Sequence, residues 1–331
     1  MEIKETIGID VGKLINEVRI HRNQKAKEFE NTDKGISTMV QWVLRNTPFS
    51  KEEILFAFEH TGLYSEKLAI YLTEKEFHYI MLPGLEVKRS MGITRGKNDK
   101  IDAKKIALYA YRKREEITPS RLASKEIKEI RSLLSLREKL VKHRSGYKAT
   151  LGEYKRCLKR KENPTLFSVH EKMIKELTRQ IEKVEGDLDN IIKNDDYLKK
   201  LYELITSIKG VGPQTAMFMI AYTDGFTRFE NWRKFASYCG TAPFPNSSGI
   251  SIRGRTKVSN LANKKIKSLL DLCAKSAIQS NQEMKQYYQR RTDEGKSKMS
   301  TINIIRNKLL SRIFAVVKRE TNYVNTLAYA A

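Results

Sequence analysis

Apolar and polar residues alternate in short runs over the first third of the chain. "TIGIDVG" reads as a strand closed by a turn, and "LINEVRI" and "KAKEFEN" follow as two further strands across short polar breaks. That is the pattern of an antiparallel meander. "GISTMVQWVLRN" then changes period, with Ile36, Met39, Val40 and Val43 at helical spacing. "ILFAFEHTG" is a buried-type strand, "YSEKLAIYLTEKE" a helix, and "FHYIMLPG" a strand stopped by Pro83 and Gly84. A helix beginning near "KNDKIDAKKIA" follows. A three-strand meander succeeded by alternating helices and strands is the element order of a ribonuclease-H-like sheet.

"REEITPSRLASKE" interrupts the pattern as a linker, with Ser124 placed to cap the next helix. About 75 residues of helical periodicity come next. Ile174, Leu177, Ile181, Val184, Leu188 and Ile191 form an a/d-type seam, and Ile130, Leu133, Leu136 and Leu140 are placed to form an opposing one. The connection "KRCLKRKENP" is strongly basic and turns at Pro164. This region reads as a helical hairpin or dimerising coiled coil, with two helices of an ordinary bundle as the alternative. From residue 201 the pattern is helix, "KGVGPQTA", helix, a Gly/Pro/Ser-rich loop and further helix. The expected organisation is therefore an α/β domain over 1–117, a helical oligomerisation region over 118–200 and a mainly helical C-terminal domain over 201–331.

Charge narrows the partners. The chain has 331 residues, with 63 Lys and Arg against 39 Asp and Glu, for a net charge of +24. Such an excess calls for a polyanion, and nucleic acid is the first expectation. A membrane is disfavoured, because no apolar run reaches spanning length and "MEIKETIGID" lacks signal-peptide architecture. Cys157, Cys239 and Cys273 are far apart without a CxxC, which suits a reducing cytoplasm better than a disulfide framework or a zinc site.

Against that basic background four acids stand out. Asp10 lies on the first strand and Glu59 ends the fourth; in a ribonuclease-H-like sheet these strands are neighbours. Asp99 and Asp102, at i and i+3 in a run that includes Lys97, Lys100, Lys104 and Lys105, share one helix face. Lysines alone would neutralise a solvated pair. Four carboxylates converging at one sheet edge instead make a hard-cation site for Mg²⁺ or Mn²⁺, the kind that promotes phosphodiester cleavage.

Further along, "YCGTAPFPNSSGISIRGRTKVSN" offers Ser247 and Ser248 before Gly249, with Arg253, Arg255 and Lys257 following. A serine here would attack a phosphate held by those cations; spacing alone favours the simpler reading of a polar turn. "SIKGVGPQTAMF", with Gly210 and Gly212 at a helix start, matches the hairpin of helix-hairpin-helix modules, whose backbone N–H groups hold phosphate. Tyr287 and Tyr288 are placed either to stack on bases or to pack.

"IGIDVGK", "FEHTGLY", "KNDKIDAKKIA", "IKGVGPQTA", "FASYCGTAPFPNSSG" and "GRTKVSN", in this order over nearly the whole chain, resemble the DEDD-type insertion-sequence transposases, bridge-RNA-guided serine recombinases with a RuvC-like N-terminal domain. The resemblance implies that Asp10, Glu59, Asp99 and Asp102 bind Mg²⁺, and that Ser248 is the nucleophile taking a 5′-phosphate. It also implies a structured guide RNA pairing with donor and target DNA, and assembly as a dimer of dimers in which one subunit's tetrad meets another's serine. Lys97, Lys100, Lys155, Arg156, Lys159, Arg160, Lys161, Gly210, Gly212, Arg253, Arg255 and Lys257 are the expected nucleic-acid contacts. A RuvC-like junction nuclease using activated water is the competing expectation; it needs the acids but not the serine.

Overall fold

Strand β1 (Glu5–Val11) carries Ile7, Ile9 and Val11 on one face, all buried, and Thr6, Gly8 and Asp10 on the other. The computed structural model describes residues 2–90, 99–248 and 252–324. It divides the chain into two compact units, 1–122 and 123–331.

In the first unit β1 pairs antiparallel with β2 (Ile15–Ile20), and β2 with β3 (Ala26–Glu30), giving the expected meander. Helix α1 (Asp33–Asn46) is capped by Thr32, whose hydroxyl accepts the Gly35 N–H at 3.1 Å. Strand β4 (Ile54–Glu59) returns parallel to β1, α2 (Leu63–Glu74) crosses over, and β5 (His78–Leu82) adds parallel to β4. The resulting order β3-β2-β1-β4-β5 is that of a ribonuclease-H-like sheet. Ile7, Ile9, Val18, Phe56 and Phe58 meet α1 and α2 in one core. Leu55, Ala57 and Leu82 meet α3 (Gly84–Ser90) and α4 (Asp99–Lys113) in a second core on the opposite face.

A close backbone approach fixes α4. A Cβ on Gly8 would lie 2.1 Å from the Ala103 carbonyl oxygen and 2.4 Å from the Ala107 nitrogen. Only a glycine lets the helix backbone rest on the strand there. Thr6 Oγ1 donates to the Ala107 carbonyl at 2.9 Å and sets the register.

The second unit is mainly helical: α5 (Lys125–Cys157), α6 (Pro164–Asn194), α7 (Asp196–Thr206), α8 (Pro213–Tyr222) and α9 (Trp232–Tyr238) precede a two-stranded ribbon. The ribbon is β6 (Pro243–Ser248) and β7 (Ile252–Val258), and α10 (Lys264–Ser280), α11 (Gln282–Asp293) and α12 (Lys298–Arg319) complete the unit. Ser124 caps α5 as expected, accepting the Ile127 N–H at 3.3 Å. The packed positions of α5 and α6 differ in part from the anticipated seams. Ile130, Ile181, Val184 and Leu188 are buried, but Leu134 replaces Leu136, which is 44% exposed, and Ile192 is more deeply buried than Ile191. The reason is that these residues join the same core as α7, α8, α10 and α12, whose contacts select a face that a two-helix seam alone would not. The ribbon likewise replaces the expected loop. Among the described residues no helix is long and apolar enough to cross a membrane.

Candidate active site and nucleic-acid interface

The sheet register brings two of the four acids together. Ile9 stands beside Phe58 in the parallel β1–β4 pair, so one further step sets Asp10 beside Glu59, on the face that packs against α4. Along β1, Thr6 meets Ala107 and Gly8 meets Ala103. The same progression carries Asp10 toward the first turn of α4, where Asp99 and Asp102 lie.

Electrostatics ties Glu59 to Asp102. Burial raises the Glu59 carboxyl above its usual range, and the charge of Asp102 raises it further. Among the described residues Glu59 has no cationic partner, whereas Asp102 is paired with Lys105 at 2.9 Å. Lysine neutralisation therefore accounts for part of the acidic pair and not for Glu59. Gly84 stands against the same carboxylate: a Cβ there would sit 2.6 Å from Glu59 Oε2, so any larger residue at the start of α3 would make that carboxylate shift.

The helical position of Asp99 is described but its side chain lies outside the described set, as does that of Lys100; Lys97 lies outside it altogether. Among the described residues the acids are not closed into a three-ligand cluster. The candidate donor set is nonetheless all carboxylate, and a hard divalent cation would stabilise a half-buried Glu59 that gains charge only at a cost. The residues fit Mg²⁺ or Mn²⁺.

One acid escaped the sequence reading. Glu17, only 6% exposed, stands directly opposite Asp10 across the β1–β2 pair and so shares its face. The alternation in "LINEVRI" carries the signal, because Glu17 and Arg19 are out of phase with Val18 and Ile20. His60, beside Glu59, is exposed and accepts the Gly62 N–H at Nδ1.

In the second unit the ribbon orders the serines. Ser247 pairs with Arg253 and Ser248 with Ile252, the last described pair before the connection; Gly249 lies outside the described residues. Arg253, Arg255 and Lys257 occupy alternate positions of β7, in phase with the residue opposite Ser247. "SIRGRTK" contains this alternation, masked locally by the neighbouring turn-forming residues.

The glycine pair has divided roles. Gly210 has φ +96°, and a Cβ there would come within 2.8 Å of the Ala277 Cα, so the turn needs glycine for both conformation and packing. Gly212 opens α8 at its N-cap, with Pro213 following and nothing within 4 Å of a Cβ. Lys155, Arg156, Lys159, Arg160 and Lys161 are exposed at the α5–α6 connection. Arg160 is held by Glu171 through two bonds of 2.8 Å and Lys159 pairs with Glu162 at 3.3 Å. Among the described residues Lys155, Arg156 and Lys161 have no carboxylate partner. Tyr287 and Tyr288 pack against the core, with the Lys308 ammonium 4.3 Å from the Tyr287 ring.

Comparison with known proteins gives two family matches. Residues 7–154 match a family model described as a transposase, of the DEDD type, and residues 202–289 match the transposase IS116/IS110/IS902 family. The chain is 25% identical over 326 residues to the pilin gene-inverting protein of Moraxella bovis, covering 96% of each. The protein of the same name from Moraxella lacunata gives the same identity and coverage. An uncharacterised 43.6 kDa protein of insertion element IS110 from Streptomyces coelicolor is 29% identical over 123 residues, 37% of this chain and 30% of that protein.

Proposed function

The chain belongs to the IS116/IS110/IS902 transposase family and is a DNA recombinase; from that premise we propose that it cleaves and rejoins donor and target DNA through a serine ester, assisted by a divalent metal. The observation that carries this reading is the convergence of Asp10, Glu59 and the first turn of α4 at the carboxyl ends of β1 and β4, with Glu59 destabilised as a charged group by burial and by Asp102.

Asp10, Glu59, Asp99 and Asp102 would hold Mg²⁺ or Mn²⁺, which supplies charge stabilisation at the phosphate when bound. The chain's own part is to fix those oxygens: β1 and β4 set Asp10 and Glu59 side by side, and the Gly8 contact sets the height of α4. The Ser248 hydroxyl is the proposed nucleophile. Its Oγ–phosphorus bond forms as the phosphorus–O3′ bond breaks, the serine proton passes to a base, and the departing 3′ oxygen takes up a proton. The 5′-phosphoserine retains the bond energy, and attack by a 3′-OH reverses the step in rejoining. Arg253, Arg255 and Lys257 are assigned to the phosphate oxygens. The α8 N-terminus at Gly212, in the manner of a helix-hairpin-helix, is assigned to the backbone of duplex DNA.

We assign the exposed basic connection between α5 and α6 to a structured guide RNA, and the α5–α6 pair to a coiled-coil contact between copies in a dimer of dimers. The protein acts in the cytoplasm on this reading.

The test is a denaturing gel with Mg²⁺, element-derived RNA and labelled donor and target DNA. Wild-type protein is expected to give a protease-sensitive DNA adduct. Ser248→Ala should abolish it, Asp102→Asn should reduce it on the order of 10³-fold, and Ser247→Ala should retain it. Free nicks without adduct, persisting in Ser248→Ala, would establish water as the nucleophile and the RuvC-like nuclease reading. An adduct lost only in Ser247→Ala would move the nucleophile to the residue that faces Arg253.

A further inference from the structure

The second unit contains a cavity of about 520 Å³ whose lining includes Phe226, Phe229, Asn231, Trp232, Phe314 and Lys318. None of these residues belongs to the serine ribbon, the glycine hairpin or the basic connection. Phe226, Phe229, Trp232 and Phe314 supply aromatic lining: Phe226 meets Phe314 edge-on at 5.0 Å, and Phe229 meets the buried Phe235 the same way at 5.0 Å. Phe229 and Trp232 are each covered by a guanidinium, Arg228 at 5.3 Å and Arg233 at 5.2 Å from the ring centroids. Lys318 is exposed beside them. Glu230 is the one acid of the lining, and Lys234 neutralises it. The surroundings are therefore net positive.

Two features suggest that the cavity is built for a ligand. Phe226 has φ +66°, a conformation that bulky residues rarely adopt. It is held there by its N–H bond to Thr223 Oγ1 at 2.9 Å, by Tyr197 Oη donating to the Gly225 carbonyl at 2.6 Å, and by an ion pair of Arg131 with Asp224. Asn231 spends its Oδ1 capping α9, accepting the Arg233 and Lys234 N–H groups at 3.0 and 3.1 Å. The amide NH₂ is then the group left to donate; among the described residues it has no acceptor.

We propose that this cavity receives an unstacked base of the DNA substrate. The base face lies against the aromatic wall, its carbonyl accepts from the Asn231 amide, and the adjoining phosphates lie near Arg228, Arg233 and Lys318. An aromatic-lined cavity, an amide donor with no acceptor among the described residues and a cationic surround are the chemistry that recognises a nucleobase attached to phosphates. A duplex keeps its base faces stacked, so the occupant is a base exposed when strands are opened for exchange. This inference rests on the family assignment and needs neither the serine nor the acids, so its failure would leave the proposed cleavage mechanism untouched.

The chain has two tryptophans, Trp42 and Trp232. In full-length Trp42→Phe protein Trp232 is the only indole emitter. Its fluorescence would be followed in metal-free buffer during titration with single-stranded DNA of about ten nucleotides, an abasic strand of equal charge, and the corresponding RNA. Saturable quenching by DNA that the abasic strand does not reproduce is the expected result. In otherwise wild-type protein, Trp232→Leu should weaken DNA binding roughly tenfold with the fold kept, as judged by circular dichroism. Binding without quenching, equal quenching by the abasic strand, or quenching by RNA alone would overturn the proposal. An emission change that depends only on protein concentration would assign the cavity to a second copy of the chain and overturn it equally.

Discussion

The acidic end of the central strands of the N-terminal sheet and the serine ribbon of the second unit are proposed to serve one reaction, yet they are built on opposite physical terms. Asp10 and Glu59 sit on central strands of a five-stranded sheet with a hydrophobic core on each face. Ser247 and Ser248 end a strand of a two-stranded ribbon in which Phe244 is 46% exposed and Lys257 is exposed. An isolated ribbon of two strands contributes little stability of its own. The difference teaches where each region is vulnerable. Metal ligands need fixed mutual geometry, and a sheet with buried faces supplies it. A nucleophile that must reach a scissile phosphate is better carried on an element whose own packing constrains it less.

The largest expected effect comes from the glycines that brace each region. Gly8→Ala forces a Cβ to 2.1 Å from a backbone oxygen of α4, within a packed core. The helix must lift, at a cost of about 3 kcal/mol, and Asp99 and Asp102 move with it. Thermal unfolding of the first unit should drop sharply, and strand cleavage should fall with it. Gly254→Ala also makes short contacts, 2.8 Å to Asn246 Nδ2 and 2.9 Å to the Asn246 carbonyl oxygen, but both residues are exposed and the two-stranded ribbon can yield. It should cost under about 1 kcal/mol. Equal destabilisation by the two substitutions, measured by denaturant titration, would remove the distinction drawn between the regions.

A smaller effect sharpens the same comparison at the nucleic-acid surface. Replacing Lys155, Arg156 and Lys161 together by Ala removes cations without carboxylate partners among the described residues, at the end of α5 and in the turn that follows it. Affinity for the guide RNA should fall, and the slope of log K against log salt should become shallower by roughly 2 to 3. DNA cleavage by preassembled complexes should change much less than binding. An unchanged slope in a filter-binding series would show that these cations serve only the helix terminus, where positive side chains are favourable in any case.

Much of this was legible in the sequence, and what was missed has a common cause. The strand and helix order of the first unit, the buried face of α1 and the Ser124 cap follow from local period and capping chemistry, and each appears where expected. The side-by-side placement of Asp10 and Glu59 followed from strand order. Glu17 was missed because a strand reading gives faces without naming partners; only the register to Asp10 shows that it stands beside the acids. The ribbon was read as a loop because Pro243, Pro245 and Gly249 outweighed the alternation in "SIRGRTK", a tertiary pairing that no local window contains. The helix faces of α5 and α6 shifted from the expected seam for the same reason: a third layer of helices chose between Leu134 and Leu136.

The smallest effect separates the two units by pH. His21, at the end of β2, stacks on Tyr111 of α4 with ring centroids 4.2 Å apart. Burial lowers its pKa from the ordinary 6.5, and the nearby charges of Arg22, Arg112 and Arg114 lower it further. The sign follows from proton uptake. A histidine whose pKa is lower in the folded chain takes up its proton more readily when unfolded. Its cost is therefore absent well above pH 6.5 and develops as the pH falls through 6.5 toward the folded value. The first unit should then lose stability over that window. Trp42 lies in the first unit and Trp232 in the second, so Trp232→Phe and Trp42→Phe proteins report the two separately. The Trp42-reported melting temperature should fall below pH 6.5, and His21→Phe, which keeps the stack on Tyr111 and cannot be protonated, should remove part of that fall. The Trp232 signal should be indifferent to the His21 substitution. A His21→Phe protein with an unaltered Trp42 profile would mean that the stack tolerates the charged ring, and the pH sensitivity of the α4 brace would have to be sought in the carboxylates instead.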